Sequence, residues 1–298
     1  MNYVLKLIEH TFNFFNRFND LERMSTSIEL CKVYTTVVQE APTELDTDKI
    51  LLSYGFPSKG KIEFVNYSAK YRPDTKIVLN NLNFIINHGE KIGVVGRTGS
   101  GKSTLGLCLC RIIEASSGKI LIDDVDIALL GLALLRNIIS VIPQDPTLMK
   151  GTLRENLDPL GKTKDKIMIN KLKLLELDYL LKENGLDFLV KDNGNNLSAG
   201  ERQLICIVRS MLRKSKIIVM DEATSSIDYK SEKIIQKAVL NTLKDSTVIT
   251  IAHRIKTIIE YDRIFVFDKG ILIEEGTPKN LLKNQQGHFY KLYSQSHL

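Results

Sequence analysis

The chain has 298 residues, of which 43% are hydrophobic and 26% charged, a balance typical of a globular protein with a buried core. Its net charge of +6 comes from lysines and arginines that are spread along the chain, which argues against a nucleic-acid-binding protein. The four cysteines form no CxxC pair, so we expect no metal site among them. No run of about 18 apolar residues is present, so we expect the chain as given to be soluble or peripheral to a membrane.

Residues 1–40 differ from the rest of the chain and predict one or two amphipathic helices. Their apolar stripe consists of Phe12, Phe14, Phe15, Phe18, Leu21, Ile28, Leu30 and Val33. Two interpretations stay open: a helix docked on its own domain, or the cytosolic end of a segment that continues into a membrane. Residues 41–60 are rich in proline, glycine and serine and predict a linker.

From residue 61 onward, predicted strands alternate with predicted helices. Residues 61–67 and 77–87 alternate apolar and polar side chains like strands of an antiparallel layer. Buried strands are predicted at 91–95, 141–142, 217–220 and 248–252, and a hairpin at 263–275. Helices are predicted at 105–113, 163–190 and 204–212. This order predicts an α/β fold with a mainly parallel sheet and helices on both faces.

A glycine-rich segment follows the predicted strand 91–95 and opens a predicted helix. It fits G-x-x-x-x-G-K-[ST] at every fixed position and consists of Gly96, Arg97, Thr98, Gly99, Ser100, Gly101, Lys102, Ser103 and Thr104. Glycines let such a loop curl so that its N–H groups point at phosphate oxygens, and the helix N-terminus adds positive charge. We predict that this P-loop (residues 96–104) binds a nucleoside triphosphate, with Lys102 at the β- and γ-phosphates and Ser103 on Mg²⁺.

Two acidic residues, Asp221 and Glu222, directly follow the apolar residues 217–220. At the C-terminal end of a buried parallel strand, Asp221 can hold the Mg²⁺ shell, and Glu222 can orient and deprotonate an attacking water. An acidic turn after a core strand is common by itself, so this interpretation depends on the P-loop in the same chain.

Residues 197–203, LSAGERQ, begin another predicted helix. Ser198 and Glu201 fit the S-x-x-E capping box, which is sufficient for an ordinary helix start. Gly200 in the first turn costs up to about 1 kcal/mol relative to alanine, and it permits close approach of another backbone or a phosphate. The segment therefore predicts a contact site as well as a helix start.

Together and in this order, the motifs resemble the nucleotide-binding domain of ABC transporters, over roughly residues 60–295. LSAGE at residues 197–201 is similar to the LSGGQ signature of that family. The finer resemblance is to the C subfamily, the multidrug-resistance-associated type, and to its second cassette because Glu222 is a glutamate. It is carried by residues 71–74, 94–99, 142–146, 153–159 and 250–254. Residues 20–42 resemble the segment that leaves the last transmembrane helix.

The resemblance implies roles in the chain's own ATP site. Tyr71 would stack on adenine, as the aromatic loop of the family does. Gln144 would touch Mg²⁺ and the attacking water, and would relay to a membrane domain. His253, at the end of a predicted strand, would contact the γ-phosphate.

The resemblance also implies that a second cassette completes the site. Ser198, Ala199, Gly200 and Glu201 would meet the γ-phosphate held by a partner's P-loop, and Asp228 would lie at the dimer seam. Two positions depart from the family: Glu201 replaces the usual glutamine, and residues 226–227 are Ser-Ile where the family has an Ala-Leu type sequence.

The implied architecture is a P-loop NTPase of the ABC ATPase fold at residues 61–298. It would have an antiparallel β layer and a helical signature subdomain at about residues 145–215. The implied cofactors are ATP and Mg²⁺. The implied partners are a second cassette, in a head-to-tail homo- or heterodimer, and the transmembrane domains of an ABC exporter. The chain would then associate with a membrane at its cytoplasmic face, and no nucleic-acid partner is expected.

Three alternatives to an exporter ATPase stay open. A soluble ABC ATPase of the translation type usually carries two cassettes, whereas this chain has one copy of each motif, and the DNA-repair type needs a coiled coil that does not fit between Lys102 and Asp221. A non-catalytic ATP-binding regulator is opposed by the presence of Glu222 and His253. The chain could also be a truncated, non-functional fragment.

Overall fold

The computed structural model describes residues 2–182, 184–221, 229–252 and 254–295. The chain divides into two compact units, Met1–Ala41 and Pro42–Leu298.

The first unit is one continuous helix, α1 (Asn2–Thr35), where the sequence allowed one or two. Phe14 and Phe18 are one helical turn apart, and their rings stack with centroids 6.5 Å apart. No helix within the described ranges combines the length and apolar character that a membrane crossing requires. Both interpretations of this segment stay predictions.

The second unit contains twelve strands among its described residues. They are β1 (Ile62–Ala69), β2 (Leu79–Ile86), β3 (Lys91–Gly96), β4 (Ala115–Ile122), β5 (Val125–Asp126), β6 (Ile139–Ile142), β7 (Gly151–Thr152), β8 (Leu189–Val190), β9 (Ile217–Asp221), β10 (Thr247–Ile251), β11 (Arg263–Asp268) and β12 (Ile271–Gly276).

The described helices of this unit are mostly short. They are α2 (Asp46–Ser53), α3 (Lys102–Leu109), α4 (Leu132–Ile138), α5 (Leu153–Leu157), α6 (Asp165–Leu174), α7 (Ala199–Arg213), α8 (Tyr229–Lys237), α9 (Pro278–Lys283) and α10 (His288–Gln295). Short 3₁₀ turns lie at Ile127–Leu129, Asp178–Leu181, Gly185–Asp187, Asp192–Gly194 and Ile255–Ile258, and a π-helical turn at Ala238–Thr242.

The central sheet has the order β12-β11-β3-β10-β9-β6, and all of its pairs are parallel except the β11–β12 hairpin. Alternate side chains of each strand enter two different cores, as the pleat requires. Ile218 and Met220 of β9 pack with α7, whereas Ile217 and Val219 pack with α3 on the other face. The predicted α/β class, with helices on both faces of a mainly parallel sheet, is therefore confirmed.

An antiparallel sheet in the order β2-β1-β4-β5 packs against one side of this core. Phe64 of β1 stacks on Phe84 of β2 with centroids 4.5 Å apart, and Phe84 meets Phe265 of the central sheet at 4.9 Å. The sequence did not predict β4, β5 or α4. In β4, the exposed residues at the start of the strand hide the alternation of apolar and polar side chains.

The lysine- and leucine-rich stretch 163–190 is helical only at α6, and the prediction of helical structure beyond it is wrong. Glu176 adopts a left-handed backbone conformation with φ of 57°, and Gly185 does the same. A left-handed residue ends a helix, so short 3₁₀ turns and β8 follow instead.

Residues 41–60, predicted as a linker, contain α2 and are tied to the second unit. The Asp48 carboxylate accepts hydrogen bonds from the N–H groups of Leu45 (2.8 Å) and Gly131 (3.0 Å). The carbonyl oxygens of Pro42 and Thr43 accept bonds from Leu132 and Ala133. This stretch therefore extends the compact unit, which composition alone did not reveal.

Asp123, in the turn between β4 and β5, anchors the chain where it enters β1. Its carboxylate accepts hydrogen bonds from the N–H groups of Lys59, Gly60 and Lys61 at 2.8–3.0 Å. Partial burial alone would raise the pKa of Asp123, but these N–H donors outweigh it and hold the pKa below its ordinary value. The ionised carboxylate therefore stabilises the fold.

We expect Asp123→Asn to lower the free energy of unfolding by about 1–2 kcal/mol at neutral pH, because the replaced charge accepts three backbone N–H groups. Asparagine tolerates the left-handed backbone of Asp123, so strain does not contribute. The lowered pKa means that the stabilisation is present above the ordinary value of 3.8 and is lost as pH falls through the folded-state pKa. Urea unfolding of the wild type and of Asp123→Asn at neutral and acid pH measures the difference in the free energy of unfolding.

The matched control is Asp124→Asn, at the neighbouring left-handed position. Within the described ranges, the side chain of Asp124 forms an exposed ion pair with Lys61 and no other, so its replacement should change stability by less than about 0.5 kcal/mol. Equal effects of the two substitutions would contradict the anchoring role of Asp123.

Candidate nucleotide site

The topology of the central sheet brings the predicted site segments to one edge. Parallel pairing sets Ile251 of β10 beside Val94 of β3 and beside Asp221 of β9, and Ile142 of β6 beside Met220. Because the strands run in the same direction, the P-loop, Asp221 and the segment that holds Gln144 all leave the sheet at its C-terminal edge.

The P-loop has the shape that the glycine spacing predicts. Gly101 precedes α3 with φ of 98°, and a Cβ there would lie 2.8 Å from Leu79. A Cβ on Gly96 would lie 2.2 Å from the carbonyl oxygen of Phe267, which forbids any other residue. The loop tip, Arg97, Thr98 and Gly99, is exposed. Helix α3 begins at Lys102 and ends at Leu109, earlier than predicted at both ends. Its early C-terminal end is explained by Arg111, which has a left-handed backbone conformation.

Lys102 lies along the inside of the loop and is only 6% exposed. Its ammonium group donates hydrogen bonds to the carbonyl oxygens of Gly96 (2.9 Å) and Arg97 (3.0 Å). Ser100 is also buried, and its hydroxyl has no hydrogen-bond partner among the described residues. The loop therefore holds a cation and a polar hydroxyl next to the N-terminus of α3, an arrangement suited to an anion.

A hydrogen bond joins the P-loop to the acidic residue at the end of β9. The Ser103 hydroxyl donates to Oδ1 of Asp221 over 3.3 Å, although 118 positions separate them in sequence. Ser103 is exposed and Asp221 is half-buried. A hydroxyl and a carboxylate are oxygen ligands of the kind that Mg²⁺ prefers.

Tyr71 lies beside the first turn of α3. Its hydroxyl is 3.0 Å from Oγ1 of Thr104, the last residue of the P-loop, yet its side chain is 56% exposed. The hydrogen bond fixes one end of the ring and leaves a face open. The structure thus supplies an anchor for Tyr71 that the sequence had not indicated.

The signature segment, residues 197–201, caps helix α7. The Ser198 hydroxyl accepts from the N–H of Glu201 (3.2 Å), and the Glu201 carboxylate accepts from the N–H of Ser198 (2.6 Å). Ser198 is exposed, Ala199 is half-buried and Gly200 is buried. The capping box predicted from the sequence is confirmed.

Two further residues position this segment, and sequence reasoning assigned them no role. The Tyr179 hydroxyl donates to the Glu201 carboxylate. The pKa of Tyr179 is raised, mainly by burial and to a smaller extent by the Glu201 carboxylate. The hydroxyl therefore stays protonated at neutral pH. The Gln203 amide donates to the carbonyl of Pro143 over 3.2 Å, which connects α7 to the residue before Gln144. No local pattern in the sequence points to either contact.

The remaining predicted residues are not placed beside the P-loop by any described contact. Glu222, Asp228 and His253 lie outside the described residues. Gln144 is exposed two positions beyond β6. The described partners of Ser198 and Glu201 are not in the P-loop.

Comparison with known families and structures agrees with this geometry. The family model described as ABC transporter matches residues 79–225. The chain also resembles a solved structure, a bacterial Atm1-family ABC exporter with ATP bound. That likeness has a TM-score of 0.81 and 27% identity, and covers 92% of this chain and 47% of the other.

Curated relatives give a closer match in sequence. The chain is 44% identical over 89% of its length to ATP-binding cassette sub-family C member 3 of Rattus norvegicus. It is 45% identical over 95% of its length to sub-family C member 2 of Homo sapiens, and 41% identical over 98% to metal resistance protein YCF1 of Saccharomyces cerevisiae.

The chain spans 17–19% of the length of these relatives. Such identity over nearly the whole chain extends well beyond the short nucleotide-binding motifs. The chain belongs to the ABC transporter family, and its sequence is that of an ATP-binding cassette of the subfamily C type.

Proposed function

We propose that this chain is the ATP-binding and ATP-hydrolysing domain of an ABC-type exporter, in which ATP-driven dimerisation powers transport across a membrane. The hydrogen bond between Ser103 and Asp221 carries the proposal, because it joins the P-loop to the carboxylate at the end of β9. A metal-bound triphosphate requires these two groups and a lysine at one place. The similarity to subfamily C proteins and to an ABC exporter supports the transport part.

Nucleotide binding would use groups that the folded chain already holds in place. The ammonium of Lys102 would exchange the carbonyl oxygens of Gly96 and Arg97 for the β- and γ-phosphates. Backbone N–H groups of the loop and of the first turn of α3 would donate to the remaining phosphate oxygens. The open face of Tyr71 would stack on adenine.

The oxygen ligands for Mg²⁺ would be the Ser103 hydroxyl, the Asp221 carboxylate and the side-chain amide oxygen of Gln144. The contact between the first two supports this set, and hard oxygen donors fit the cation. When bound, Mg²⁺ neutralises charge on the β- and γ-phosphate oxygens.

Hydrolysis would be an in-line attack by water on the γ-phosphorus. Glu222, the residue after Asp221, would accept the proton of that water while the bond between the γ-phosphorus and the bridging oxygen breaks. Lys102 would stabilise the charge that develops on the phosphate oxygens, and Gln144 and His253 would orient the water and the γ-phosphate. The roles of Glu222 and His253 rest on their sequence positions and on the family.

A second cassette would complete each ATP site in a head-to-tail dimer. The chain has one P-loop and one signature segment, and the described contacts of Ser198 and Glu201 leave the exposed N-terminus of α7 available to another molecule. That helix end and Asp228 would face the partner, whether the same chain or a different one. The transmembrane domains of an exporter would sit above the dimer, at the cytoplasmic face of a membrane.

Tyr71→Ala should weaken ATP binding about tenfold or more, because stacking of one base on an aromatic ring contributes about 1–3 kcal/mol. Tyr71→Trp should retain binding, and Tyr71→Phe should retain most of it because only the hydrogen bond to Thr104 is lost. Fluorescent-nucleotide titration measures the affinities. The control is Tyr54→Ala, which removes an exposed tyrosine of the α2 terminus. Wild-type affinity in Tyr71→Ala would exclude Tyr71 from the site.

Glu222→Gln should lower the ATP turnover rate by about 10²- to 10⁴-fold, the usual contribution of a general base. MgATP affinity should change little, since the amide has nearly the same shape and Asp221 keeps its carboxylate. Single-turnover hydrolysis and equilibrium binding measure the two effects. The comparison variant is Asp221→Asn, which should reduce the Mg²⁺ dependence of binding itself. Normal turnover in Glu222→Gln would place the base elsewhere.

Specific ATPase activity should rise with protein concentration, because one chain cannot complete its own site. Ser198→Arg should abolish turnover, since its charge and bulk would meet the partner's P-loop, while nucleotide binding persists. Asn195→Arg adds the same charge to a nearby exposed position and should preserve activity. The ATPase rate is measured over a range of protein concentrations, and light scattering gives the oligomeric state at each concentration. Constant specific activity of a monomer across dilution would refute the paired mechanism.

A further inference from the structure

A second polar cavity lies at the opposite end of the central sheet from the nucleotide site. It has a volume of about 270 Å³ and is formed where β9 and β10 begin, between the C-terminal end of α7, a face of α6 and the turn before β10. Its ionisable lining residues are Lys171, Lys214, Lys216 and Asp245. We call it the basic cavity. None of its residues belongs to the motifs of the ATP site.

The charge of the basic cavity is unbalanced. Its three lysines come from α6, the end of α7 and the residue before β9, and none forms an ion pair within the described parts of the chain. Asp245 is the single carboxylate among the lining residues. Like charges that converge on one concave surface raise the local positive potential and attract an anion.

A buried hydroxyl in the same lining has no partner. Ser215 is 4% exposed, and no described residue makes a hydrogen bond with its Oγ. The neighbouring hydroxyls are engaged: Ser246 donates to the carbonyl of Ser215 (2.8 Å), and Ser210 donates to Cys206 (3.2 Å). Buried polar atoms almost always have a partner, so an unpaired one next to a cavity points to a ligand atom.

The backbone carbonyls that could repel an anion are turned away. Lys91 is buried, and its ammonium group donates hydrogen bonds to the carbonyl oxygens of Leu243 (2.9 Å) and Ser246 (2.8 Å). These oxygens are thereby held against a cation inside the protein. The turn before β10 presents less negative charge to the cavity as a result.

We propose that the basic cavity binds a phosphate group, held by Lys171, Lys214, Lys216 and the Ser215 hydroxyl. A phosphate carries about −1.5 to −2 charges at neutral pH and has several acceptor oxygens, which three ammonium groups and a hydroxyl can satisfy together. The cavity volume fits a phosphate with a small attached group. The phosphate belongs either to a soluble compound or to a lipid headgroup, and the recognition chemistry is the same for both.

The test titrates inorganic phosphate into the full chain by calorimetry. A non-hydrolysable ATP analogue and Mg²⁺ are present at saturation, so that the P-loop does not take up phosphate. Lys214→Gln and Lys216→Gln should each weaken phosphate binding about 3- to 10-fold, as expected for the loss of one charge-assisted contact. Ser215→Ala should weaken it to a smaller extent, and Asp245→Asn should strengthen it.

The matched control is Lys173→Gln, which removes an exposed lysine of α6 that does not line the cavity. It should bind phosphate like the wild type, and all variants should bind the ATP analogue normally because the two sites lie at opposite sheet edges. Absence of phosphate binding in the wild type, or binding that is equal in the cavity variants and in Lys173→Gln, would overturn the proposal.

Vesicles distinguish the source of the phosphate. Wild type and the Lys214→Gln, Lys216→Gln double variant are sedimented with phosphatidylcholine vesicles, with and without phosphatidic acid. A gain of binding on adding phosphatidic acid that the double variant lacks assigns the cavity to a lipid headgroup. Phosphate binding in solution without that gain assigns it to a soluble phosphate compound.

Discussion

The parallel register of β3, β10 and β9 is the constraint on which the nucleotide site depends. It sets Val94, Ile251 and Asp221 side by side at one edge of the sheet, so the P-loop and the acidic residue leave neighbouring positions. The 3.3 Å hydrogen bond between Ser103 and Asp221 is the direct result. A shift of one residue in either pair would turn Asp221 to the opposite face and separate it from Ser103, the other proposed oxygen ligand of Mg²⁺.

The P-loop itself is held by packing as much as by its own sequence. Gly96 passes so close to Phe267 of β11 that a side chain would collide, and a Cβ on Gly101 would also collide, with Leu79 of β2. The loop is therefore clamped between the central sheet and the antiparallel layer. Such a loop can present its N–H groups and Lys102 to a phosphate with little reorganisation, which is the advantage of a preformed anion site.

The signature helix is prepared in a comparable way. Glu201 stands where the family has glutamine, and here its carboxylate satisfies the N–H of Ser198 and accepts from Tyr179. The negative charge also complements the N-terminal end of the α7 dipole. A γ-phosphate offered by a partner would have to share that helix end with Glu201. The substitution thus keeps the helix start ordered while placing an anion close to the proposed contact.

The two edges of the central sheet differ in what they offer to a ligand. At the C-terminal edge, the P-loop combines Lys102, the N-terminus of α3 and exposed backbone N–H groups within one short segment. At the N-terminal edge, the ammonium group of Lys91 is hydrogen-bonded to carbonyl oxygens. The positive charge available to a ligand there comes from lysines of separate elements. The second arrangement leaves no compact motif in the sequence, because its residues are distant along the chain.

The sequence by itself determined the local chemistry of this protein. The P-loop, the acidic pair after residue 220, the capping box at Ser198 and the α/β alternation all follow from short-range spacing, since turns, caps and strand periodicity are local properties. The motifs also assigned Ser103 and Asp221 to one Mg²⁺ site. Tertiary structure decided the contacts themselves: the Ser103–Asp221 bond, the anchoring of Tyr71 on Thr104, and the link from Gln203 to Pro143. It also decided that residues 41–60 pack as part of the compact unit, and that the α-helix in the stretch 163–190 is limited to α6. Those outcomes depend on sheet register and on contacts between residues far apart in the chain, which the local spacing of residues does not specify.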